Sequence, residues 1–290
     1  MYNRRHRLFK EEGEKMEVTR ECVKHAKRIV VKVGTSTLTY NNGKINFSRI
    51  DKLARVISDL MNQEKEIVLV TSGAIGVGVG KLKLPGKPKS LREKQAVAAV
   101  GQSELMQIYS RFFSDYSQVV AQILLTRDVV ENQSGRRHVI NTFETLIEMG
   151  ILPVVNENDS VSVDEIESGK HRVFGDNDTL SAIVAKLVNA DLLIILSDID
   201  GFYDSDPREN CNSKLISVIE EINTDVERCA GGAGTSRGTG GMVTKIQAAR
   251  ITMNAGIDMV LTNGQRPEMI MDILKGLDVG TLFKAHSVEN

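Results

Sequence analysis

The sequence predicts an α/β fold in which a mostly parallel sheet carries helices on both faces. From residue 28 onward, short apolar runs alternate with amphipathic helical stretches, which is the pattern of repeated β-α-β units. The apolar runs are nearly continuous, as expected of parallel strands that are buried on both faces. Aromatic residues make up only 4% of the 290 residues and Trp is absent, so the core must be built from aliphatic side chains and Met.

The individual elements follow from spacing and from their end signals. Apolar residues at helical spacing predict helices over residues 50–61, 90–113 and 136–149. Ser90 and Glu93 form a capping box at the start of the second helix, and Gly150 ends the third. Polar and β-branched residues at 160–175 predict a hairpin or flap. The predicted strands are the apolar runs at residues 29–33, 67–70, 119–125, 152–155, 192–196 and 259–261.

Composition argues against several classes of function. A formal net charge of −1 and a pI near 6.5 leave no basic field for nucleic acid. Three cysteines without CxxC spacing indicate reduced thiols, and the five histidines are scattered, so we predict no metal site. The sequence has no run of about 18 apolar residues and no apolar signal segment, so we expect a cytoplasmic protein with no membrane partner.

Residues 1–27 differ from the rest of the chain. Basic residues at 4–10 are followed by acidic residues at 11–17, and opposite charges this close cancel each other. We therefore predict a charged flexible extension rather than a nucleic-acid-binding arm, with Met1 and Met16 both open as the start. No linker rich in Pro, Gly and Ser divides the remainder, which predicts one domain with two lobes.

The segment 174–181 places two carboxylates, Asp176 and Asp178, at the start of a predicted helix. Asn177 or Asp178 can cap that helix, and a helix N-terminus suits an anionic ligand. Two acids exceed what a cap needs, which favours a functional site over a doubly capped helix with a solvated acidic turn.

Two lysines favour a phosphate ligand. Lys32 lies inside an apolar strand, two residues before Gly34, where an unpaired ammonium would be costly. The alternative is a lysine that snorkels to solvent at a strand edge. Lys245 follows a glycine-rich stretch at 231–241 that opens a helix and frees N–H groups for phosphate oxygens. The Walker A pattern is absent, and a flexible surface loop is the alternative.

Polar groups also follow other predicted strands, at Thr71–Gly73, at Asn156–Asp159 and at Ser197–Asp198. Ligands of parallel sheets bind beyond the carboxyl ends of the strands, so we expect these groups to converge. Asp159 and the asparagines suit an amino acid, whose ammonium needs an anion and whose carboxylates need neutral donors. Asx-rich turns are the structural alternative.

Together these segments resemble the amino-acid kinase family, in order and over about residues 28–285. They are most similar to its members that act on L-glutamate. The resemblance implies a three-layer α/β/α sandwich with a mostly parallel central sheet. It implies a kinase domain at 28–286, with an acceptor-binding N-lobe to about 190 and a nucleotide-binding C-lobe from about 191.

The resemblance implies transfer of the γ-phosphoryl group of ATP to the side-chain carboxylate of L-glutamate. Lys32, Lys245 and Asp178 would be catalytic, with Asp178 orienting both lysines. Mg²⁺ would be held mainly by the ATP phosphates. Glutamate would be held by Ser72, Asp159 and Asn177, with Asn156 and Asp176 as lesser candidates. The implied ATP-binding residues are Lys32, Ser197, Asp198, Thr239, Gly240, Gly241, Met242, Val243, Thr244 and Lys245.

The resemblance also implies partners. A glutamyl phosphate reductase would take the labile product, L-proline would be a feedback inhibitor, and the chain would form a homo-oligomer, a dimer or tetramer. Many bacterial members carry a C-terminal module of PUA type, which we expect this chain to lack because it ends at Asn290.

Two alternatives stay open. One is another kinase of the family, acting on N-acetylglutamate, aspartate, carbamate or a nucleoside monophosphate; the Gly-Thr-Ser and Thr-Ser-Gly-Ala-Ile segments argue against it. The other is a non-catalytic amino-acid sensor, and the presence of both lysines and Asp178 argues against that.

Overall fold

The computed structural model describes residues 20–40, 44–161, 176–230 and 241–286. Its sheet has eight strands in the order β3-β4-β2-β1-β5-β7-β8-β6, and all neighbouring pairs are parallel except β7 and β8. The strands are β1 Arg28–Val33, β2 Glu66–Val70, β3 Val120–Leu125, β4 Leu152–Glu157, β5 Leu192–Ser197, β6 Val218–Ile219, β7 Asp258–Asn263 and β8 Thr281–Phe283.

Helices connect the strands as a β-α-β fold requires. The longest is α5, and its N-cap Ser90 forms the predicted capping box with Glu93. The helices are α1 Glu21–Lys24, α2 Thr35–Leu38, α3 Phe47–Asn62, α4 Ala74–Lys81, α5 Leu91–Ser114, α6 Arg127–Glu131, α7 Gln133–Glu148, α8 Asn177–Leu187, α9 Thr224–Ala230, α10 Met242–Asn254 and α11 Met269–Leu274. The six predicted strands and the three predicted helices are confirmed with small shifts at their ends.

Two apolar clusters, one on each face of the sheet, make the three layers. Because side chains alternate along a strand, Val31 of β1 packs with α3 and α5 on one face. Val30, one residue earlier, packs with α7, α8 and α10 on the other face. The predicted α/β/α sandwich is therefore confirmed.

Residues 20–27 pack on the domain, although the sequence pattern assigned them to the extension. Arg20 is 3% exposed, and its guanidinium donates hydrogen bonds to the backbone carbonyls of Ser217, Val279 and Gly280. Val23 of α1 joins the core. The predicted extension over 1–27 is thus too long, because residues 20–27 pack on the domain; residues 1–19 lie outside the described residues.

Most of the predicted flap, residues 162–175, lies outside the described residues. Within the four described ranges, no helix is both long enough and apolar enough to cross a bilayer.

Candidate active site

The site lies where four neighbouring strands end. In the order β4-β2-β1-β5, their carboxyl ends lead into Asn158, Thr71, Gly34 and Asp198. The predicted convergence of these polar segments is therefore confirmed. Helices α8 and α10 begin at the same edge and bring Asp178 and Lys245 onto one face of the sheet.

A buried cluster of three charges occupies this edge. Lys32 Nζ lies 2.7 Å from Asp178 Oδ1, and Lys245 Nζ lies 3.1 Å from Asp178 Oδ2. The three residues are 7%, 0% and 5% exposed in the order Lys32, Asp178, Lys245. Thr244 Oγ1 donates a further hydrogen bond of 3.0 Å to Asp178 Oδ2. Lys32 thus does not snorkel to solvent, and Lys245 is held in place by its ion pair with Asp178.

The cluster keeps Asp178 ionised. Burial by itself raises the pKa of this carboxyl, but the ammonium groups of Lys32 and Lys245 outweigh burial and hold the pKa below its ordinary value. Two cations and one anion leave the cluster with a formal charge of +1. It is a pre-arranged positive site at the carboxyl ends of the strands.

The start of α10 adds backbone donors beside the lysines. Its N-cap is Gly241, which supplies no side-chain hydrogen bond to the first turn, Met242, Val243 and Thr244. Unsatisfied N–H groups at a helix N-terminus suit phosphate oxygens. Thr239 and Gly240, also expected to bind ATP, lie outside the described residues.

Gly34 and the end of β5 border the same charges. A Cβ placed on Gly34 would lie 3.5 Å from Lys32 Nζ, so glycine leaves open the space next to the ammonium. Ser197 is buried, and its Oγ donates to Oδ1 of the exposed Asp198 at 3.1 Å. The described residues predicted to bind ATP therefore lie together at the carboxyl end of the sheet.

Ser72 is held in a tight turn between β2 and α4, next to the end of β1. Its Oγ donates to the carbonyl of Val33 and lies 3.3 Å from Thr35 Oγ1. The following Gly73 has φ = +95°, and a Cβ there would lie 2.9 Å from Thr35 Oγ1. Both the conformation and the space require glycine.

The start of α8 corrects our assignment of the helix cap. Asp176 is the N-cap, and its side chain accepts a hydrogen bond from the backbone N–H of Asp178. The prediction that Asn177 or Asp178 caps the helix is wrong, because tertiary contacts take Asp178 to the lysines. Asn177 is the first helical residue, and its buried Oδ1 has no hydrogen-bond partner among the described residues.

Asp159 lines a cavity of about 620 Å³ beside β4 and α5. Burial, and secondarily the charge of Glu157, raises the pKa of Asp159 to about 6. In the described part of the chain, no cationic side chain forms an ion pair with it. The carboxylate is therefore suited to a cation that comes from a ligand.

Asn156 is 1% exposed, and its Nδ2 donates a 2.9 Å hydrogen bond to Oε1 of Gln102 on α5. Sequence reasoning missed Gln102. The available signal was its helical spacing: it shares the buried face of α5 with Ala98 and Leu105, where an apolar residue is expected.

The donor types at this edge do not form a metal cage. Across the described ranges, no group of three or more His, Cys, Asp or Glu side chains could hold a metal ion. The buried carboxylate, Asp178, is already engaged by two ammonium groups. A divalent cation at this edge would take its ligands chiefly from a bound polyphosphate.

Comparison with known proteins agrees with this geometry. A sequence model of the amino acid kinase family matches residues 27–263. The chain is 63% identical over 270 residues to a protein named glutamate 5-kinase from Clostridium perfringens, covering 93% of this chain and 100% of that one. It is 57% identical to a glutamate 5-kinase from Listeria innocua, covering 93% of this chain and 97% of that one.

Among solved structures, carbamate kinase from Giardia lamblia bound to AMP-PNP matches the fold with a TM-score of 0.64 at 17% identity. The match covers 91% of this chain and 100% of that one.

Proposed function

The chain belongs to the amino acid kinase family, and from that premise we propose that it transfers the γ-phosphoryl group of ATP to the side-chain carboxylate of L-glutamate. The product is L-glutamyl 5-phosphate, an acyl phosphate. The reaction is the first step of proline biosynthesis.

The chemical problem is repulsion between two anions. A carboxylate oxygen of the acceptor attacks the γ-phosphorus, the bond from that phosphorus to the bridging oxygen breaks, and ADP leaves. The acceptor is already ionised at pH 7, so the reaction needs no general base. What it needs is positive charge and in-line alignment.

The charge cluster supplies both. Lys32 and Lys245 neutralise charge on the transferring phosphoryl group, and Asp178 holds both ammonium groups in place. Because the cluster is buried, its charges do not have to reorganise when the transition state forms. Mg²⁺, bound by the phosphates of ATP, would neutralise further charge on the nucleotide.

The acceptor is bound on the β4 side of this cluster. Asp159 neutralises the α-ammonium group of glutamate, which accounts for a carboxylate with a raised pKa and no cationic partner among the described residues. Ser72 and Asn177 hold the carboxylates. Ser197, Asp198 and the first turn of α10 contact the nucleotide.

The observation that carries the proposal is the ion triplet formed by Lys32, Asp178 and Lys245. An amino-acid sensor has no need for two ammonium groups on one buried carboxylate, whereas phosphoryl transfer does.

The test is formation of an acyl phosphate that depends on ATP and Mg²⁺, trapped as hydroxamate. L-glutamate, N-acetyl-L-glutamate and L-aspartate are compared side by side. We expect signal with L-glutamate alone. Signal with another acceptor would keep the chemistry and discard the assignment of Ser72, Asp159 and Asn177. No signal from folded protein that still binds ATP would favour the sensor.

We further propose that a glutamyl phosphate reductase consumes the product, because acyl phosphates hydrolyse readily. L-proline would inhibit as the end product, and the chain would form a dimer or tetramer through its acceptor-binding lobe. These proposals are supported by the family resemblance. Unchanged glutamate kinetics in millimolar proline would refute the second.

A further inference from the structure

Gln102 is a buried polar residue that the roles above leave unused. It follows Gly101, where α5 crosses α4 at very short range. A Cβ on Gly101 would lie 1.8 Å from the carbonyl oxygen of Ala74, and one on Gly78 would lie 2.2 Å from that of Val97. This close approach carries Gln102 to the strand edge, where it is 8% exposed and lies beside Asn156.

The two side-chain amides form one hydrogen bond with each other, so half of their hydrogen-bonding groups remain unsatisfied. Asn156 Nδ2 donates to Gln102 Oε1, which leaves Gln102 Nε2 and Asn156 Oδ1 buried without a hydrogen-bond partner among the described residues. Exchanging the O and N positions of both amides changes which residue offers which group, but one donor and one acceptor still remain. Unpaired amide atoms in a buried position are costly, so such a pair is expected to serve a ligand.

The surroundings indicate which ligand. Gln102 lines the cavity of about 620 Å³ together with Glu157 and Asp159, and no Lys or Arg is among its described lining residues. Through Gln102 the cavity offers an amide donor, and through Asp159 it offers a carboxylate. Asn156 is 1% exposed and holds Gln102 from behind the cavity wall. An α-carboxylate entering the cavity would find the amide donor, and an α-ammonium would find Asp159.

We infer that the Gln102–Asn156 pair recognises the α-amino-acid end of the acceptor. Gln102 Nε2 donates to the α-carboxylate, Asn156 positions Gln102 through its hydrogen bond to Oε1, and Asp159 meets the α-ammonium. The inference rests on the proposed function and deepens it. It explains selection of a free amino acid over an N-acylated one, because an uncharged amide would leave Asp159 without a cation.

The test replaces Gln102 by Met, which keeps the length of the side chain and removes both amide atoms. Gln95→Met, on the same helix but outside the cavity lining, is the matched control. Each variant is assayed with L-glutamate and with 4-aminobutyrate, which lacks the α-carboxylate. Where turnover of 4-aminobutyrate is too slow, its Ki as a competitor of glutamate is measured instead.

We expect Gln102→Met to lower kcat/KM for L-glutamate about tenfold to a hundredfold, the usual effect of one hydrogen bond to a charged group. The KM for ATP and the constant for 4-aminobutyrate should stay unchanged. Gln102→Glu should lower activity on L-glutamate further, because it places a carboxylate against a carboxylate. Gln95→Met should match the parent.

Three outcomes would decide against the inference. An equal loss on both acceptors, or a raised KM for ATP, would show that Gln102 acts through packing. No loss with L-glutamate would show that Gln102 does not contact the acceptor. These results differ from failure of the proposed function, in which the parent protein itself forms no hydroxamate with L-glutamate.

Discussion

The buried charge cluster predicts that two substitutions, Lys245→Met and Asp178→Asn, differ in how much they reduce stability. After Lys245→Met, Asp178 keeps Lys32 at 2.7 Å and the hydroxyl of Thr244 at 3.0 Å, so no buried charge is left alone. After Asp178→Asn, two ammonium groups that are 7% and 5% exposed lose the carboxylate between them. The first change should damage activity more than stability, and the second should damage both.

The magnitudes follow from the pairing. Removing one partner of a buried ion pair, so that a charge stays uncompensated, costs about 3–5 kcal/mol, and we expect this loss for Asp178→Asn. Lys245→Met should cost less than about 2 kcal/mol, because a counter-ion remains and one ammonium no longer has to be desolvated. Its kcat should fall about 100-fold to 1000-fold, as on loss of one preorganised group that stabilises the transition state.

The assay pairs urea unfolding with hydroxamate formation at saturating ATP and L-glutamate. Lys275→Met is the control, because that lysine is 65% exposed and lies 3.8 Å from its acidic neighbour. A kcat for Lys245→Met within tenfold of the parent would refute the catalytic reasoning. Equal losses of stability in the two site variants would refute the pairing argument.

The same cluster has a pH signature. A carboxyl whose pKa is lowered on folding stabilises the protein above its unfolded pKa, near 3.8, and loses that contribution as pH falls through the folded value. The contribution of Asp178 to the free energy of unfolding should therefore decrease as pH falls below about 4 in the parent. Asp178→Asn should remove part of that dependence below about pH 4.

Four further predictions concern Asp159, the contact between α4 and α5, and Arg20. Because burial and Glu157 raise the pKa of Asp159 to about 6, the KM for L-glutamate should rise as pH falls through 6. In initial-rate measurements, Asp159→Asn should raise KM at neutral pH and remove its dependence on pH. The same raised pKa means that, without acceptor, the free energy of unfolding should fall as pH rises from about 4 to 6. Gly101→Ala should lower the free energy of unfolding by about 3 kcal/mol in thermal denaturation, because its Cβ would overlap the backbone of α4. Gly80→Ala is the control: its Cβ would meet open space, so the change should be neutral or stabilise by up to about 1 kcal/mol. Arg20→Met should lower the free energy of unfolding in urea by about 3 kcal/mol, because its buried guanidinium binds backbone carbonyls. It should leave kcat/KM unchanged, because these carbonyls lie far from the site.

The sheet was predictable because its strands are long enough to carry a signal. Runs such as Leu192–Ser197 are buried along their whole length and read as continuous apolar segments. Strands β6 and β8 have only two and three residues, so neither period nor length distinguishes them from loop. Arg20 was assigned to a solvated leader because its carbonyl partners lie about 200 or more residues away.

The site was predictable in kind but not in its contacts. Lys32 stood out as a cation within an apolar strand, and its contact with Asp178 agrees with the role that the resemblance implies. The helix cap could not be read locally, since residues 176–178 are three adjacent capping types and only tertiary pairing selects Asp176. Gln102 was missed because its partner Asn156 is 54 residues away and its surroundings in sequence are those of a core helix.

The charges of the site also orient the acceptor. The cluster at the ends of β1 and α8 has a formal charge of +1, whereas the cavity beside β4 carries Glu157 and Asp159 and no cation among its described lining residues. Glutamate has a lone carboxylate at one end and an ammonium at the other. In the proposed binding mode, its side-chain carboxylate faces Lys32 and Lys245, and its ammonium faces Asp159. Reversed binding would place the ammonium beside two lysines and the side-chain carboxylate beside Asp159, so like charges would meet at both places. This polarity favours phosphorylation of the side-chain carboxylate even though the α-carboxylate has similar intrinsic reactivity.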